Sequence, residues 1–209
     1  MGIHESQSRF YENNIGRSIE FWEAHYPKLL EVFPDQLKDV SLDDFYRGVN
    51  KVEASFIRVE ADELTYPMHI MVRYEIERML MDNEITVAQL PKIWNEKMVE
   101  YLGIEPKDDA EGVLQDVHWS VGLFGYFPTY ALGSAYAAQF LHTMKKDLDL
   151  DELVKTNNIK AINEWLKEHI HQYGQSKTPK ELLFDVTGEE FNPMYYVTYL
   201  IEKYTELYL

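Results

Sequence analysis

Gly2-Ile3-His4-Glu5-Ser6-Gln7-Ser8-Arg9 opens an amphipathic run that reaches Phe33, and the spacing within that run decides the fold class. Ile15, Ile19, Trp22, Tyr26, Leu29 and Phe33 recur at steps of three and four, which gathers them on one side of a helix. Pro34 and Asp35 end the run. The octet sets a histidine beside a carboxylate, and Arg9 lies four residues beyond Glu5 on the same helical face. Taken alone, such a trio near a helix start is an ordinary surface or capping arrangement.

Working outward, the helical pattern continues. Ser41 with Asp43 and Asp44 signals a short helix over about 42–53. Pro67 suits the first turn of a helix over 68–81, and Thr86 caps a stretch running through 91–101 to Gly103. Residues 104–112 read as a loop. Pro128 starts a helix through Leu132, Tyr136, Phe140 and Met144, on which Gly133 and Ala137 let a neighbouring backbone come close. Asn158 opens a helix over 159–173, closed by Gly174. Thr178-Pro179-Lys180-Glu181 is a capping box with proline at the first helical position, and Gly188 closes that helix. Asn192-Pro193 starts a last helix to Leu209. Only 56–61 alternates as a strand would, with Ile57, Val59 and Ala61 opposite Phe56, Arg58 and Glu60. The expectation is a mainly α fold, a single helical unit over 1–209, with room for one short β-hairpin or strand pair.

The 209 residues carry a net charge of −16, which argues against nucleic acid and anionic membranes as partners. There is no cysteine, so disulfides and thiolate metal sites are excluded, and a cytoplasmic location is compatible. No run of apolar residues is long enough to span a bilayer, and no signal peptide is expected.

The seven histidines, His4, His25, His69, His118, His142, His169 and His171, include no HExxH pair. Three clusters could carry chemistry. Glu5 with Arg9 is the first. Arg58 and Asp62 form the second, either as a surface salt bridge or with the guanidinium forked onto a carboxylate in a cleft. The third is Gly112-Val113-Leu114-Gln115-Asp116-Val117-His118-Trp119 followed by Tyr126 and Tyr130. These aromatics suit a core, or a histidine orientated by an aspartate with phenols at hand to stabilise an oxyanion.

In order, His4-Glu5-Ser6-Gln7, then Ile57-Arg58-x-x-Ala61-Asp62, then Gly112-x-x-Gln115-Asp116-x-His118-Trp119 resemble three signature motifs of the thermostable carboxypeptidase (carboxypeptidase Taq) family of zinc metallopeptidases. The likeness runs over essentially the whole chain. It implies a helical zincin-like fold with a deep cleft, in which peptides lose their C-terminal residue to a metal-activated water. By resemblance Glu5 is the third zinc ligand and His4 lines the cleft nearby. Arg58 is the candidate for the substrate's carboxylate, with Gln115 and Asp116 beside it, and His118 with Tyr126 or Tyr130 matches the transition-state His and Tyr of related enzymes.

Family members are roughly twice as long, and the signatures His-Pro-Phe, Asp-x-Arg-x-Thr and HExxH belong upstream. The resemblance therefore implies the C-terminal portion of a carboxypeptidase, lacking two zinc ligands and the water-activating glutamate, and inactive alone. Zinc is expected in the full-length enzyme and not on this chain by itself, since catalytic zinc takes three protein ligands. Expected partners are the N-terminal half, peptide substrates in the complete enzyme, and a second copy. Dimerisation would cover apolar faces left open on the 15–33 and 128–144 helices. A non-catalytic helical module docking with a separate chain is the alternative.

Overall fold

The structure is a computed structural model describing residues 1–209, and its elements are helices and short 3-10 or π turns, with no strand. The chain divides into two compact units, Met1–Asn50 with Leu132–Leu209, and Lys51–Ala131.

In the first unit, α1 (Gly2–Arg9) passes into a π-helical segment, Phe10–Ile15, and α2 (Ile19–Val32) begins afresh at Ser18. The single run expected to Phe33 is therefore interrupted. The Ser18 hydroxyl accepts the Phe21 N–H, the local bond by which serine competes with helix continuation. After α3 (Pro34–Leu37) comes α4 (Leu42–Val49), capped by Ser41. It stops short of residue 53, because the Asn50 amide donates to the Tyr46 and Arg17 carbonyls and turns the chain aside.

In the second unit, the strand expected over 56–61 does not form. Arg58–Glu60 closes into a 3-10 turn. The Arg58 N–H donates to the Gln115 side chain rather than to a neighbouring strand, so the alternation has no ladder to serve. Next come α5 (Tyr66–Met81), a 3-10 turn over Val87–Gln89 and α6 (Leu90–Leu102), ended by Gly103 at φ 71. Val72, Ile76, Trp94 and Met98 are fully buried where α5 faces α6, and Tyr66, Ile70 and Phe127 make a second small cluster.

α7 (Pro128–Asp147) starts at the expected proline. From Leu132 on it belongs to the first unit, with α8 (Leu150–Lys155), α9 (Ile159–His169), α10 (Pro179–Thr187) and α11 (Met194–Tyr208). Phe10, Phe140, Met144, Ile162, Leu166 and Leu183 form that unit's core. Burial of each such side chain contributes roughly 1.5–3 kcal/mol. The capping box at Thr178 and Glu181 forms as expected.

No large hydrophobic residue of α7 is exposed, because small residues such as Ala135, Ala137 and Ala138 turn its buried side to close neighbours. The open apolar face expected on that helix is not there. Of the large apolar side chains of α2 only Val32, with Phe33 just beyond it, is exposed; others are exposed on α11 at Met194, Val197 and Ile201, and at Val117, Val121, Leu123 and Phe124. No helix is long and apolar enough to cross a membrane.

Candidate active-site residues

Glu5 sits in the middle of α1 and is about one-fifth exposed, its Oε1 accepting the Arg9 Nε at 3.0 Å. The one-turn spacing read from sequence is thus a real ion pair. Two devices hold Glu5 in place. Against it lies Gly133 of α7, where an added Cβ would come within 2.6 Å of both the Cβ and Cγ of Glu5. Along α1, the Ser6 hydroxyl donates to the Ile3 carbonyl and Gln7 donates to that hydroxyl, while His171 Nε2 meets Gln7 Oε1 at 2.8 Å. Ser6 and Gln7 of the opening octet therefore lock the turn that carries Glu5. His4 is exposed.

In the second unit the hub is Asp116. One carboxylate receives two guanidinium groups: Arg58 through Nε at 3.1 Å and Nη2 at 2.7 Å, and Arg73 through Nε at 2.6 Å. All three side chains are nearly or wholly buried. Burial works against these charges, and mutual pairing outweighs it for two of them: Asp116 is held below the usual carboxylate range and Arg58 is raised. Arg73, the most deeply buried, is lowered to about 10, burial outweighing Asp116. Arg58 also donates to the Tyr66 hydroxyl at 3.0 Å and lies over the Tyr130 ring at 4.8 Å. Arg73 lies over Trp94 at 4.6 Å.

Arg58 and Asp62 are not a pair, which corrects the surface salt bridge read from their spacing. Asp62 instead accepts the N–H groups of Glu53, Leu64 and Thr65 and the Thr65 hydroxyl, pinning the turn before α5. Gln115 is engaged on all sides. Its Oε1 accepts from Arg58 N at 2.8 Å and Arg73 Nη2 at 2.9 Å, and its Nε2 donates to the Phe56 and Glu111 carbonyls.

His118 Nε2 and the Tyr130 hydroxyl are 2.9 Å apart. Tyr126 meets the same imidazole through its ring, with centroids 5.6 Å apart. The Asp116 carboxylate does not orientate His118: the gap from Oδ1 to Nδ1 is 3.8 Å, beyond hydrogen-bond range, and Nδ1 is buried without a partner. Asp116 is spent on its two arginines instead. Burial, opposed by Asp116 and aided by Arg58 and Arg73, lowers the His118 pKa and so favours the neutral ring.

Tyr66, His69, Arg73 and Glu77 were not singled out from the sequence as site residues. All lie on the buried face of α5 with Ile70 and Ile76. Their sequence signal was available: His69, Arg73 and Glu77 recur every four residues on an otherwise apolar stripe. A buried histidine without a hydrogen-bond partner on either ring nitrogen completes the group, since His69 is fully buried beside the paired charges. Its pKa falls to about 4, first from burial and then from Arg73 and Arg58, against Asp116 and Asp62.

A sequence model described as "Carboxypeptidase Taq (M32) metallopeptidase" matches residues 1–204. The chain belongs to this family. Carboxypeptidase 1 of Bacillus subtilis (strain 168) is 55% identical to this M32 chain over 210 residues, and thermostable carboxypeptidase 1 of Thermus thermophilus is 47% identical over 209. Each match covers all of this chain but only 42% and 41% of the relative, so the chain spans about two-fifths of their length. The crystal structure of the M32 carboxypeptidase of Deinococcus radiodurans R1 superposes with a TM-score of 0.95 at 38% identity, over 99% of this chain and 42% of that one. Metallocarboxypeptidase 1 of Trypanosoma cruzi gives 0.92 at 45% identity, over 97% and 41%.

The family name implies a metal, and the donors in this M32 chain do not make up a site for one. No three histidine, aspartate or glutamate side chains converge, and the carboxylate of Glu5 is occupied by Arg9. Catalytic zinc needs three protein ligands with one position left open.

Proposed function

We propose that this chain is the C-terminal portion of a zinc-dependent carboxypeptidase, contributing one ligand and part of the substrate wall and not hydrolysing peptides by itself. The observation that carries the reading is that the family match fills the chain while the chain fills only about two-fifths of its relatives. In this reading Glu5 is the ligand contributed, with Arg9 holding it until the metal arrives and His4 beside it. Arg58 is the cation for the substrate's terminal carboxylate, and Asp116, Gln115 and Arg73 build the rigid wall behind it. His118, hydrogen-bonded to Tyr130, acts in this reading as a donor to charge developing at the scissile carbonyl, with Tyr126 at its flank.

The partner in this reading is an upstream polypeptide of the kind its relatives carry, supplying HExxH. A second copy of the chain is a further proposed partner, for which the exposed Met194, Val197 and Ile201 on α11 are the available surface. The test is a peptidase assay of the purified chain, alone and mixed with an upstream portion. No release from the chain alone and chelator-sensitive release from the mixture support the reading. Equal, chelator-sensitive release by the chain alone overturns it. Failure to complement, with capture of an unrelated protein, favours a non-catalytic docking module.

A further inference from the structure

Glu77 is 4% exposed, and it spends its two carboxylate oxygens on two different donors six residues apart. Oε1 accepts the Trp119 indole N–H at 2.7 Å, and Oε2 accepts the Gly125 backbone N–H at 3.0 Å. These donors are the two ends of segment 119–125. His118 immediately precedes that segment, and Tyr126 immediately follows it.

Between those two bonds the chain is a sequence of tight turns. It begins with a 3-10 turn over Trp119–Val121, then bends at Gly122 and Gly125, both with φ near +75° (77° and 75°). Val121, Leu123 and Phe124 are exposed, so no apolar cover holds it from outside. Its local ties are the stack of Trp119 on Phe124, the Gly122 N–H donated to the Trp119 carbonyl, and the Val121 and Leu123 N–H groups donated to the Val117 and His118 carbonyls. Trp119 also packs against apolar clusters that α5 builds with Ile70, Val72 and Ile76, and Glu77 adds the polar attachment, which reaches both ends of the segment.

We propose that Glu77 is a positioning residue: its carboxylate clamps both ends of the 119–125 segment and so sets where His118 and Tyr126 stand relative to Tyr130. What the group of three does rests on the carboxypeptidase reading; the clamp does not. The chemistry requires a carboxylate. The two N–H donors approach different oxygens of the carboxylate, and a glutamine in the same pose turns an NH2 toward one of them. Aspartate is one methylene short of reaching both. Loss of either bond leaves a buried donor unsatisfied, which is the costly side of hydrogen-bond exchange.

The experiment is nuclear magnetic resonance of the 209-residue chain, comparing the wild type with Glu77→Gln and Trp119→Phe. Glu77→Gln is expected to keep its helical circular dichroism while the Gly125 amide and Trp119 indole hydrogens exchange on the order of 10- to 100-fold faster. The His118 titration midpoint is expected to rise toward the ordinary histidine value as the ring loosens from Tyr130. Trp119→Phe should move His118 the same way by less and leave Gly125 protected. Unchanged exchange at Trp119 and Gly125 overturns the clamp. Faster exchange with the His118 midpoint unmoved overturns the positioning role and leaves a stabilising contact only. If Glu77→Gln does not fold, Trp119→Phe decides alone, and an unmoved His118 midpoint overturns the proposal. None of these signals requires peptidase activity, so failure of the carboxypeptidase reading would appear only in the complementation assay.

Discussion

A Cβ built on Gly133 lies 2.6 Å from both the Cβ and the Cγ of Glu5, closer than any side chain tolerates. α7 and α1 therefore meet at a point where only a hydrogen fits, and the residue on the other side is the carboxylate that the family resemblance marks. Gly133→Ala should destabilise the chain by about 1–3 kcal/mol through overpacking. Helix propensity alone predicts the reverse, a gain of about 1 kcal/mol. Urea denaturation distinguishes them: a higher midpoint for the alanine variant would remove the close packing from the account.

Asp116 serves two buried arginines, so its removal strands both. Asp116→Asn is expected to cost about 3–5 kcal/mol, the range for breaking a buried ion pair from one side. Arg58→Met, which leaves Asp116 with Arg73, should cost less than Asp116→Asn. Equal stability of Asp116→Asn and wild type in denaturant titration would contradict the buried network.

His69 makes stability depend on pH. Its folded pKa of about 4 lies below the unfolded value of about 6.5. Between those values the unfolded chain holds the extra proton, so stability falls as pH drops from about 6.5 to about 4. The full effect is on the order of 3 kcal/mol at one group, by 1.36 kcal/mol per pKa unit. His118 and His171, both lowered by burial, add in the same direction, whereas Asp116, held low, adds its loss only below the ordinary carboxylate range. His69→Leu should flatten the pH 4–6.5 slope of the thermal midpoint. An unchanged slope would mean that His69 is protonated in the folded chain.

Most helices were legible because their signals are local. Thr178 with Glu181, Gly103, Gly188 and Pro128 each act within one turn, and each marks a helix end where the sequence says it should. Gly133 was legible as a close approach, though not its partner. The strand at 56–61 misled because period-two alternation is also what a chain shows when Arg58 turns inward to a distant carboxylate. Arg73 and Glu77 are hard to assign from sequence for the same reason, although their spacing with His69 is visible there. Arg73 and Glu77 find their partners in Asp116, Gln115 and Trp119, some 40 residues away in sequence, and the spacing on α5 does not name those partners.

If Glu5 is, as proposed, a ligand whose fellow ligands lie outside this chain, zinc stoichiometry must show it. Equilibrium dialysis of the chain, of an upstream HExxH-bearing portion and of their mixture should yield one tightly held zinc only in the mixture. Glu5→Gln should weaken that binding at least tenfold, the scale at which loss of one ligand contact of about 1.4 kcal/mol registers. One tightly held zinc on the chain alone, or unaltered binding in the Glu5→Gln mixture, would rule out that role for Glu5.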